Sequence, residues 1–91
     1  MAYEGDGMDK IDGIIQMLED ITNDRTVPKN VRSEIENAIK TLKSDKFERI
    51  VKINTAISIL DEVSTDSNIP MYARTQIWNI LSLMEQIAKN K

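Results

Sequence analysis

The chain has 91 residues, neither cysteine nor histidine, 12 basic against 15 acidic side chains and a net charge of -3. This length allows one domain with one small core, and no separate catalytic domain. The composition excludes disulfides and thiolate chemistry and lacks the commonest general base and metal ligand, while the mild acidity argues against general nucleic-acid binding.

The expected elements are all helical. The N-terminal MAYEGDGMDK has no basic stretch leading into an apolar one, no apolar run approaches the ~18 residues of a membrane span, and residues 1–7 are expected to be flexible. A soluble cytoplasmic protein is the resulting expectation. Met8, Ile11, Ile14, Ile15, Leu18 and Ile21 recur at steps of three and four and predict a helix over 8–22. Val31, Ile35, Ala38, Ile39 and Leu42 predict a second over 28–43, started by Pro28, which holds Val27 out of helical geometry. Asp45 and Glu48 have the spacing of a capping box, so a tight turn near Ser44 should lead to a third helix over 46–64. Its stripe is Phe47, Ile50, Ile53, Ile57, Leu60 and Val63, with Phe47 read as core and Ile59 outside the stripe. After Pro70, Ala73, Ile77, Leu81 and Met84 predict a fourth helix over 70–89, and no segment alternates with the period of a strand.

The chain nearly repeats itself with a shift of 42 residues. Residues 10–42 laid on 52–84 agree at nine of 33 positions without a gap, the best segment being LEDITNDRTVPKNVRSEIEN from Leu18 against LDEVSTDSNIPMYARTQIWN from Leu60. The duplicated unit is a helical hairpin. One hairpin must meet an ordering cost of roughly 1–2 kcal/mol per residue with about a dozen apolar side chains worth ~1.5–3 kcal/mol each, so it cannot stand alone. Residues 1–91 are therefore read as a single all-α domain, a four-helix up-and-down bundle of two tandem hairpins, 8–44 and 45–91, with internal pseudo-two-fold symmetry.

The segments DRTVPKNVR and DSNIPMYARTQIW, one repeat apart, resemble uncharacterised protein family 0147, a family of small archaeal helical proteins. The resemblance spans nearly the whole chain after Gly7. It implies a compact all-helical protein of archaeal origin and supplies no activity, substrate or catalytic residue.

Residues kept in both copies are assigned to the turns. Asp24, Pro28 and Arg32 are matched by Asp66, Pro70 and Arg74, and their reading is a turn lock in which Asp and Arg bind each other or turn carbonyls. The competing reading is a guanidinium beside a helix N-terminus, an anion site. Asp9, Asp12, Glu19 and Asp20, with Asp61 and Glu62, are read as solvated helix surface rather than a metal or acid-base site, since two-metal bundles rely on Glu-x-x-His. Glu19 and Asp20 lie near a helix C-terminus and should attract a cation.

Residues found in one copy only are the functional candidates. Residues 1–24 carry a net charge of -6 and residues 25–52 one of +4, the latter including Arg25 and Lys29. Lys40, Lys43, Lys46, Arg49 and Lys52 are candidates for anion or nucleic-acid contact. In the second copy Lys29, Asn30, Glu36 and Thr41 are replaced by Met71, Tyr72, Trp78 and Leu83. These four should face outward and are candidates for a partner interface, where aromatic and Met side chains are enriched; Ile59 adds weight to a homodimer. The functional expectation is a non-enzymatic interaction protein with no cofactor and no membrane association, contacting an unidentified protein or itself; the alternative is a nucleic-acid-associated factor using residues 40–52.

Overall fold

A computed structural model describes the backbone of residues 2–90 and the side chains of residues 10–89. Four helices, and no strand among the described residues, follow in order: α1 (Ala2–Thr22), α2 (Lys29–Lys43), α3 (Arg49–Val63) and α4 (Met71–Asn90). Each packs on its neighbours in the chain and α1 also packs on α4, while among the described residues the diagonal pairs make no such close backbone approach. The result is a four-helix bundle measuring 41 × 23 × 21 Å.

The apolar stripes become the core as their spacing requires. Ile14, Ile15, Leu18 and Ile21 of α1 are buried with Val31, Ile35, Ala38, Ile39 and Leu42 of α2. From the second half come Ile53, Leu60 and Val63 of α3 and Ala73, Ile77, Leu81 and Met84 of α4, joined by Ala56, Ile80 and Ile87. Ile11 and Ile57 pack on this cluster from its margin. So does Ile59, which is therefore only a marginal member of any outer patch. Met8 and the expected flexibility of residues 1–7 lie outside what the described side chains address, although α1 itself is drawn from Ala2 rather than residue 8.

Both hairpin turns use one device. Asp24 N-H bonds the Ile21 carbonyl and Val27 N-H the Asp24 carbonyl, while Asp66 and Ile69 repeat these bonds to Val63 and Asp66. The proline then forbids helix at Val27 and Ile69, which turn inward and are 1% and 5% exposed. Each plugs one loop into the bundle. The spacing of the helices does not repeat so well: α2 and α3 make the most extensive contact, and α4 with α1, its counterpart in the duplication, the least.

The join between the hairpins departs from the sequence expectation. Helix α3 begins at Arg49 rather than 46, its capping residue is Glu48 in an extended conformation (φ -65°, ψ 155°), and no side chain caps it. The Asp45–Glu48 capping box therefore does not form. Ser44 leaves α2 extended (φ -72°, ψ 142°). Its hydroxyl oxygen accepts the Lys46 N-H at 3.1 Å, and its carbonyl accepts the Lys52 ammonium at 3.0 Å. The chain has already committed to a wider turn before a helix could start at residue 46. Phe47 consequently falls before the helix and out of its phase, and it is 53% exposed rather than core.

Leu60→Ala, at a fully buried position, should cost about 2–5 kcal/mol in urea unfolding. Phe47→Ala should stay within about 0.5 kcal/mol of the parent, as a surface substitution does; a loss comparable to that of Leu60→Ala would return Phe47 to the core.

Candidate functional site

The paired Asp and Arg side chains act on the turns, by different bonds. Arg32 Nε donates to the Val27 carbonyl at 3.1 Å, and Arg74 Nη2 to the Asp66 carbonyl at 2.6 Å, leaving Arg74 Nε buried without a partner. Asp24 accepts the Thr26 N-H at 2.9 Å and Asp66 the Asn68 N-H at 2.8 Å, the local Asx bond that makes Asp a turn residue. The guanidinium groups thus hold turn carbonyls rather than the carboxylates. This is the carbonyl form of the turn lock.

Asp24 has a further role that Asp66 lacks. Its carboxylate accepts the Thr26 hydroxyl at 2.7 Å and the Tyr72 hydroxyl, joining the first loop to the start of α4. Tyr72, taken from the sequence as a partner contact, therefore has its polar end committed within the molecule. In order of importance, the Thr26 hydroxyl, the Tyr72 hydroxyl and the Thr26 amide hold the Asp24 carboxyl below its ordinary 3.8, desolvation opposes them, and the charge of Arg32 adds least.

The basic stretch is partly spoken for. Lys43 lies 3.4 Å from Glu19, which is the cation expected near the end of α1. Lys52 is bound to the Ser44 carbonyl. Lys40, Lys46 and Arg49 are exposed, as are Phe47, which lies between the last two in sequence, and Val51 in α3. An exposed aromatic side chain is thus present in the basic stretch where the sequence had placed it in the core.

Among the described residues no three Asp or Glu side chains converge as a metal site would require. Asp9 lies outside the described side chains. Asp12, Asp20, Asp61 and Glu62 are exposed on their helices.

The four aromatic and aliphatic candidates of α4 are all exposed, but they lie on two edges of the helix. Met71 (67% exposed) and Trp78 (52%) stand two turns apart on one stripe, continued by exposed Glu85. Tyr72 and Leu83 occupy the other edge, against α1 and its loop. Two adjoining hollows run down that α1–α4 seam. One, of about 200 Å³, is lined by Lys10, Gly13, Ile14, Met17, Leu83, Gln86 and Ile87. The other, of about 150 Å³, is lined by Met17, Asp20, Gln76, Asn79 and Ile80, so exposed Met17 is common to both. Gly13 contributes by omission: a Cβ there would meet nothing within 4 Å. A mid-helix glycine costs about 1 kcal/mol relative to alanine, and no packing among the described residues requires it. The sequence reading missed this seam, because neither Gly13 nor Met17 signals anything until α4 lies beside α1.

The model of the uncharacterised protein family UPF0147 matches residues 1–87. The crystal structure of MMP1188, a protein of unknown function, is 46% identical, with a TM-score of 0.82 over 86% of this chain and 89% of the other. No curated protein matches.

A lowered folded-state pKa makes Asp24 stabilising above the unfolded value of about 3.9, and that contribution disappears as pH falls through the folded value. In a carboxyl NMR titration Asp24 should have its midpoint below 3.8, and Tyr72→Phe and Thr26→Val should each raise it. A midpoint unmoved by both changes would show that the hydroxyls do not carry the shift.

Proposed function

We propose that this chain, a member of the uncharacterised protein family UPF0147, is a non-enzymatic interaction protein that presents the outer face of α4 to a protein partner. The observation that carries this reading is the pairing of Met71 and Trp78, more than half exposed and two turns apart, on the helix whose surface is poorest in charge. The exposed described positions of α4 include only Glu85 and Lys89 as ionisable side chains besides Tyr72. Depletion of charge around aromatic and Met side chains is the compositional mark of an interface core. The lack of histidine and cysteine supports the non-enzymatic part.

Hydroxyl-radical footprinting tests this in the source cell. Met71 and Trp78 should be oxidised several-fold more slowly there than in the dilute purified protein. Equal rates would mean that nothing covers the face.

A second reading, contact with single-stranded nucleic acid, is favoured by Phe47, which is exposed and lies in sequence between exposed Lys46 and Arg49. A base stacked on such a side chain contributes about 1–3 kcal/mol, with phosphates on the neighbouring cations. Labelled single-stranded RNA should then bind with an affinity that falls steeply between about 50 and 200 mM salt, and Phe47→Ala should weaken it roughly five-fold to a hundred-fold. Binding indifferent to both salt and Phe47→Ala would contradict this reading.

A further inference from the structure

We infer that the partner of the α4 face is a second copy of this chain, docked so that Trp78 of each copy lies over the α1–α4 seam of the other. The inference rests on the reading of α4 as a contact surface and names its occupant.

Symmetry connects the two edges of α4. A two-fold axis running along the bundle, in the plane of contact, exchanges left and right on the face while preserving height. The Met71, Trp78 and Glu85 stripe on one edge then meets the seam on the opposite edge of the other copy. At the height of Trp78 the seam offers the hollow lined by Met17, Asp20, Gln76, Asn79 and Ile80. Met17 and Ile80 offer the indole ring an apolar floor, and the Asp20 carboxylate and the Gln76 and Asn79 amides on the rim can accept its one N-H.

The same operation places Glu85 against the other end of the seam, where Lys10 borders the second hollow. Among the described residues neither is in an ion pair, and their charges are complementary. Each pair occurs twice in a two-fold assembly. Gly13 leaves the seam open at that height, where a side chain would begin to fill it.

The long face of the bundle, 41 × 23 Å in outline, is large enough to hold the roughly 800 Å² per partner of a standard stable interface. The helix pair beneath this face has the fewest close backbone approaches of the four adjacent pairs. A second copy would cover both the seam and the exposed side chains beside it.

The chain has one tryptophan, so its emission reports Trp78 alone. Sedimentation equilibrium of the full chain should show a dimer, with tryptophan emission shifting to shorter wavelength along the same concentration curve. Trp78→Ser and Met17→Lys, both at exposed positions, should leave helical circular dichroism intact and give monomers. Lys10→Glu and Glu85→Lys should each weaken the dimer about ten-fold, and the double exchange should restore it. A monomer at every concentration overturns the second copy; protection of Met71 and Trp78 in the cell would then show that the α4 face serves another protein, and its absence that the face serves none. A dimer whose emission does not change, or whose charge exchange is not restored by the double variant, places the interface elsewhere and overturns the assignment.

Discussion

The fold depends on two residues that are barred from being helical. Val27 and Ile69 each precede a proline, which removes the helical option, and each is buried at the end of its hairpin. Ending one helix and anchoring the loop are thus accomplished by the same side chain. Polar residues before the plug bond to one another and to the helix end, so the reversal leaves few unsatisfied backbone groups. The arginine one turn beyond each proline reaches back to the turn carbonyl and fixes the start of the next helix.

Upon this repeated frame the two copies diverge. The first loop is tied across the molecule, because Tyr72 replaces Asn30 and bonds Asp24. The second loop has no counterpart to this contact, since Asn30 is its equivalent position. A single substitution between the copies therefore links the start of α4 to the turn between α1 and α2. It also changes the meaning of Tyr72: the ring is exposed, yet the hydroxyl works within the fold.

The divergence is greatest where α4 meets α1. The central pair, α2 and α3, is drawn together by close packing and by Lys52 reaching the Ser44 carbonyl. The outer pair has neither advantage and opens into hollows at Gly13 and Met17. Met71 and Trp78 stand on the edge of α4 away from this opening and line neither hollow. Their exposure is a consequence of helical phase: they lie at positions whose counterparts in the first copy are Lys29 and Glu36, and duplication of the fold keeps those positions outside.

The sequence by itself determined the four helices, their approximate limits and most of the core, because apolar spacing at three and four residues and the X-Pro constraint are local properties. It also determined that Met71, Tyr72, Trp78 and Leu83 face outward, through comparison of the copies. Tertiary structure decided what local rules cannot contain. Phe47 left the core because Ser44 and Lys52 set the width of the turn, a contact between elements that outweighs the capping preference of Asp45 and Glu48. Arg32 and Arg74 chose carbonyls over carboxylates because the turn presents its backbone at that distance. Two edges emerged from one candidate patch only when α1 packed beside α4, since the angle at which helices approach, rather than the residues along either, determines which side chains share a surface.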